Sequence, residues 1–206
     1  MSDMVWISMA PGHVSNMRPF KSSFGFCEMA TVENLDRNRD GEPLPAGSFP
    51  AEICGISSAR ESNYHLPDLC RLAGYWVIRA TTSDVLQQFD LGDGGFYPVN
   101  VLKKDQQTPV GGEWACLNFG NKKAAFLVEQ SENAREDYIR NGEKGWFPGW
   151  SLKDDQFSVS PVALEGPDIW VDPDVGDAFF VSDRLRRALK KAKADKGFFF
   201  KRCRVI

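Results

Sequence analysis

Apolar positions along the chain fall mostly into short runs with the two-residue period of strands. Residues 5–9, 51–56, 75–78, 96–102, 113–119, 157–159, 169–171 and 178–181 are each apolar or alternating and are bounded by glycine, proline or polar residues. Residues 24–29 read the same way and could run on to Val32, while residues 124–127 fit a strand or a turn. Residues 34–50 are turn-rich and charged, which predicts a loop. Three helices are expected. A short one spans residues 67–72 with Pro67 in its first turn. A second is capped by Thr82 or Ser83 and carries Val85, Leu86 and Phe89 on one face. The third is the clearest: Ser182 is its N-cap, Asp183 sits at the positive end of the dipole, Leu185, Ala188, Leu189 and Ala192 form an apolar stripe, and Gly197 ends it. A last strand follows from Phe198 to Val205.

Strands outnumber helices and do not alternate strictly with them. The expected class is α+β, with a mixed or largely antiparallel sheet, a few short helices and a C-terminal strand–helix–strand unit. Residues 1–65 read as a strand-rich N-terminal segment and 66–206 as an α+β domain, with one continuous fold as the alternative. Val77, Ser83-Asp84-Val85-Leu86 and Gly95-Phe96 echo Val181, Ser182-Asp183-Arg184-Leu185 and Gly197-Phe198. The echo predicts a duplicated unit, to be weighed against coincidence in a common order of elements.

Composition narrows the class. Five scattered cysteines without C-x-x-C spacing argue against a disulfide framework or zinc site and for a reducing, cytoplasmic setting. The first residues lack a basic and then apolar leader, and no run approaches eighteen apolar residues, so neither a signal peptide nor a membrane span is expected. The net charge of −3 is unevenly spread. Residues 182–206 hold ten basic and two acidic side chains, or +8, which leaves −11 on the rest.

Candidate catalytic chemistry is sparse. His13 and His65 are far apart and have no companions at ligand spacing, so no metal or cofactor is expected. Asp36 to Gly41 begins like a calcium loop, but its twelfth position is Gly47 and prolines interrupt it; an ordinary polar turn is the better reading. Gly92-Asp93-Gly94-Gly95 lies between a helix and a strand, the reverse of a phosphate loop. Cys203, four from the end, alternates within the last strand and is not read as a lipidation signal. The basic helix around Arg184, Arg186, Arg187, Lys190, Lys191 and Lys193 could bind nucleic acid, but a solvated face explains it better.

Gly166-Pro167-Asp168-Ile169-Trp170, Phe179 to Leu185, Ala188-Leu189, Gly197-Phe198 and Arg202-Cys203-Arg204-Val205 resemble the immunity family numbered eleven among bacterial polymorphic-toxin systems. The resemblance is strongest over residues 67–110 and 164–205. It implies a non-enzymatic protein that binds and neutralises a cognate toxin by protein contact, by covering its active site or locking an inactive form. The toxin is expected to be a nuclease in one reading, and no membrane is involved. A nucleic-acid-binding or regulatory module using the basic helix is the alternative. The stretch 129–155 is acidic, aromatic and without obvious structure, as binding loops often are. It supplies the expected partner-binding residues: Trp146, Phe147 and Trp150 as anchors, with Glu132, Glu136, Asp137 and Glu143 as a charged rim.

Overall fold

A computed structural model of the protein describes residues 4–24, 29–140 and 143–206. In chain order the elements are β1 (Val5–Ser8), β2 (Met17–Arg18), β3 (Phe20–Ser22), α1 (Met29–Arg39), β4 (Glu52–Gly55), β5 (Leu69–Leu72), β6 (Tyr75–Arg79), α2 (Ala80–Leu86), β7 (Gly95–Leu102), β8 (Trp114–Asn118), β9 (Ala134–Arg140), β10 (Glu143–Pro148), β11 (Phe157–Val159), β12 (Ile169–Trp170), β13 (Phe179–Ser182), α3 (Asp183–Lys191) and β14 (Phe200–Val205). Short 3₁₀ turns fill several connections. The class is α+β and sheet-rich, with mixed strand directions.

One sheet has the order β2-β5-β6-β8-β7-β4-β3, a second has β11-β14-β1-β13-β12, and β9 with β10 forms a separate hairpin. The alternation of side chains sends Ile78, Leu69 and Leu117 from the first sheet, and Ile169, Phe179 and Val181 from the second, into one shared core. Leu86 of α2 and Leu185 and Leu189 of α3 fill the space between them, all fully buried. Each such leucine contributes about 1.5–3 kcal/mol relative to exposure. The opposite faces make two further clusters, around Ile53, Tyr75 and Val77 behind the first sheet and around Ile7, Phe157 and Phe180 behind the second.

The two sheets contain the same five-strand arrangement. In β5-β6-β8-β7-β4 every neighbour is antiparallel except β7 and β4, which are parallel. In β12-β13-β1-β14-β11 every neighbour is antiparallel except β14 and β11. Chain order agrees too, with one exception: the place that β8 fills in the first unit is filled in the second by β1, from the opposite end of the sequence. The pairings Leu69 to Ile78 and Cys70 to Val77 match Ile169 to Val181 and Trp170 to Phe180. Arg79 therefore corresponds to Ser182, each standing immediately before its helix. The echo expected from the sequence is present as topology, but the matching residue of Ser182 is Arg79 and not Ser83.

Several expectations are corrected. Residues 69–72 form a strand, not a helix: Leu69, Cys70 and Leu72 are all fully buried, and a strand covered on both faces loses its alternation. Residues 29–39 are helical where a strand and then a loop were expected; residues 25–28 of that strand lie outside the described part. The inward positions of α1 include Asn38, which donates to the Leu117 carbonyl and accepts from the Phe119 amide. A helix docked through such polar bonds shows little apolar period. Helix α2 begins at Ala80, before the expected caps. Helix α3 ends at Lys191, before Gly197. There Lys193 adopts φ 54°, its amide bonding the Lys190 carbonyl and that of Ala194 the Leu189 carbonyl. That is a Schellman turn with lysine in the usual glycine place. Gly197 has a different duty: with φ 101° it passes so close to the Leu69 carbonyl that a side chain would collide with it.

Candidate protein-binding site

The segment that links the two units, residues 119–156, carries the β9–β10 hairpin. The hairpin is tied at one end. Trp146 and Val175 form a parallel bridge through Trp146 N–H to the Asp174 carbonyl and Gly176 N–H to the Trp146 carbonyl. At its base the Gly149 amide bonds the Asn133 carbonyl, and a side chain on Gly149 would strike Asn133. Asp154 and Asp155 are engaged within the fold. Asp155 receives the Arg202 guanidinium and Asp154 accepts from the Arg202 amide, which fastens the segment to β14. The Arg202 hydrogen bond holds the Asp155 carboxyl below its ordinary value.

Register separates the candidate anchors. Trp146 pairs with Glu136 and Phe147 with Arg135, so Trp146 and Phe147 project from opposite faces. Trp146 is half-buried, its ring 6.5 Å from that of Phe126, which packs on the cluster behind the second sheet. Phe147 and Trp150 border a cleft of about 340 Å³ with Met9, His13, Phe199 and Leu152. Trp150 is 82% exposed. The Arg135 guanidinium lies 5.4 Å from the Phe147 ring and 5.7 Å from that of Trp150, within cation–π range. On the other wall His13 stacks on Phe199 at 3.8 Å, and Phe199 sits at φ 52°. Asp177 and Lys201 add one charge of each sign.

The rim residues are dispersed. Glu136 pairs with Lys144 at 2.9 Å and Asp137 with Arg135 at 3.1 Å, on opposite faces of the hairpin. Glu132 is exposed beside the hairpin's start, and the side chain of Glu143 lies outside the described part. Between residues 132 and 150 there are four acidic and three basic side chains, a net −1, so the hairpin is nearly neutral.

Sequence reasoning missed Met9, His13, Arg135 and Phe199 in this cleft. The Phe198 to Phe200 run was visible, but it reads as uninterrupted strand. In the fold Phe198 is fully buried, Phe199 turns outward at positive φ, and only Phe200 opens β14.

Elsewhere the arginines of α3 are engaged. Arg184 binds Asp168 through Nε at 2.5 Å and Nη2 at 2.7 Å, Arg187 lies 2.7 Å from Asp183, and Arg186 covers the Trp6 ring at 4.1 Å. Lys190, Lys191 and Lys193 remain outward. Among the described residues no group of three His, Cys, Asp or Glu side chains is placed to hold a metal ion, and no helix is long and apolar enough to cross a membrane.

These features describe a cleft lined by aromatic side chains on a sheet scaffold, and the family match gives the chain a biological class. The chain belongs to the Imm11 immunity protein family, whose model matches residues 27–205. Membership makes it a toxin-immunity protein with a cognate toxin as its partner. A search of curated proteins found no match.

Proposed function

We propose that this immunity protein acts without turnover, by binding its cognate toxin through the β9–β10 hairpin and the adjoining cleft and so covering the toxin's active site. The observation that carries the reading is the pair formed by exposed Trp150 and half-buried Phe147 under Arg135. It lies on an insertion that belongs to neither duplicated unit, beside a ready cleft. Exposed aromatics of this kind are the usual anchors of interfaces. Trp146 backs the hairpin on its other face, and the exposed carboxylates of Glu132, Glu136 and Asp137 supply charge around the anchor on both faces. The −11 carried outside residues 182–206 favours encounter with a basic partner, such as the groove of a nuclease acting in the cytoplasm.

The test is binding kinetics against the cognate toxin over a salt series. Glu136→Lys and Asp137→Lys should slow association and flatten its salt dependence, and Trp150→Ala should speed dissociation by about thirtyfold, near 2 kcal/mol. An interface that leaves residues 132–150 in solvent would overturn the reading.

A further inference from the structure

The repeated strand arrangement exposes a difference between the units that has the character of a site. In the second unit Trp6 of β1 points toward α3. Its indole Nε1 donates to Asp183 at 2.9 Å and its ring lies under Arg186. Register fixes the matching residues of the first unit. Val181 pairs with Trp6 and Ile78 with Ala115, so Ala115 stands where Trp6 does. Counting from Arg79 and Ser182 along the two helices, Ala80 stands for Asp183 and Ser83 for Arg186. All three large or charged members are replaced by small ones. Ala80, Ser83 and Ala115 together line a hollow of about 720 Å³ between α2 and β7, with Phe96, Pro98 and Asn100 on the strand side.

We infer that this hollow is a docking site for an aromatic side chain carried on a basic segment of a partner protein. The second unit shows what the same backbone frame accommodates there: an indole lying between a helix and a sheet. In the first unit Ala115 leaves that position open, with Trp114 lining the hollow from the neighbouring register, so an incoming ring can be supplied by a partner. The surroundings set the partner's charge. Glu113 lines the hollow, Asp84 follows Ser83 on the exposed side of α2, and Glu52 pairs with Asn100 on the neighbouring strand. All three are exposed, and none makes an ion pair among the described residues. Arg79 stands beside Gly112 and Trp114 on one wall, but it is engaged by the Leu66 carbonyl and Asp68, so the unpaired border is acidic and favours lysine or arginine flanking the aromatic ring. The volume is within the range of ligand-binding depressions and leaves room for a neighbouring residue beside the indole. This site is separate from the hairpin and does not depend on it.

The experiment titrates acetyl-Lys-Trp-Lys-amide into the whole protein and follows backbone amide resonances. Saturable shifts centred on Ala80, Ser83, Asn100 and Ala115 are expected, with acetyl-Lys-Ala-Lys-amide binding at least about thirtyfold more weakly. Ala115→Trp should fill the hollow from within, abolish the shifts and leave the melting temperature unchanged or higher. Glu113→Lys alters only an exposed side chain and should weaken the peptide several-fold even if Ala115→Trp does not fold. Shifts that centre elsewhere, equal binding of the two peptides, or a folded Ala115→Trp variant that still binds would overturn the inference. So would concentration-dependent dimerisation through the hollow, which would assign it to a second copy of the chain.

Discussion

Asp68 Oδ2 accepts from the backbone amide of Lys196, and Asp168 Oδ2 accepts from that of Asp90, each at 3.0 Å. Lys196 follows α3 and Asp90 follows α2, so each aspartate clasps the loop that leaves the other unit's helix. The carbonyls repeat the relation: Asp68 O accepts from Arg79 N and Asp168 O from Ser182 N. The two clasps differ in strength. Asp168 is 1% exposed and also binds Arg184 and the Ser182 hydroxyl, whereas Asp68 has Arg79 only at 3.6 Å.

Asp168→Ala should therefore cost about 3 kcal/mol or more, because it strands several donors at once. Asp68→Ala should cost about 1–2 kcal/mol. Urea denaturation of the two variants gives the comparison, and equal losses would contradict the assignment of partners.

Leu185→Ala and Leu189→Ala each remove a fully buried side chain from the core shared by both sheets. A loss of about 2–5 kcal/mol is expected for each. Melts that match the wild type would place the stripe of α3 outside the core.

Lys193→Gly should raise stability by up to about 1 kcal/mol, since lysine at φ 54° pays a side-chain clash that glycine avoids. The gain will be partly offset by the greater freedom of glycine in the unfolded chain. A destabilised variant would show that the lysine side chain makes contacts worth more than the strain.

Burial beneath its surroundings pushes the Lys123 amine down from 10.5 to about 8, against the pull of Asp168, Asp90 and Glu165. The amine lies 3.6 Å above the Trp170 ring and donates to the Pro167 carbonyl. Between pH 8 and 10.5 the unfolded chain holds more protons at this site than the folded one, so stability gains with rising pH there. The stability of wild type relative to Lys123→Met should thus increase across that window and be flat below it. A flat difference throughout would leave Lys123 with an ordinary affinity for its proton.

The anchors should separate by what they lose. Trp146→Ala is expected to lower stability by about 2 kcal/mol or more, because Trp146 is half-buried and packs on Phe126. Trp150→Ala should leave the melting temperature unchanged and affect only dissociation from the toxin. A Trp150 variant that melts early would place that side chain in the fold's own support.

Strands that read as short apolar and aromatic runs between turn residues were legible in the sequence: β6, β8 and β11 lie within a residue or two of their expected positions, although all three are buried on both faces. So was α3, whose cap and the Leu185, Ala188 and Leu189 of its stripe lie as expected, while Ala192 is exposed just beyond its end. Indeed Ser182 Oγ accepts from the Leu185 amide at 3.2 Å. What was hidden depends on distant partners. β5 follows Pro67 and places Leu69 and Leu72 three apart, which imitates the first turn of a helix, α1 docks through Asn38, and the wall built by His13 and Phe199 joins residues far apart in the sequence. The expected rim charges were legible as residues, but not their pairing with Arg135 and Lys144, which depends on hairpin register.

The place of β1 has a consequence for synthesis. Val5 pairs with Ser182 on one side and Cys203 on the other, so β1 must wait for strands translated long after it. At about 5–20 residues per second the delay is on the order of 10–40 s. The first unit, contiguous from β4 to β8, can close its ladder well before then. During that interval β1 is an unpaired apolar strand, and the helix–strand unit that will receive it has not yet been translated. The nascent chain therefore has a built-in order of assembly: the first sheet can close before the second, which needs β13 and β14 to receive β1.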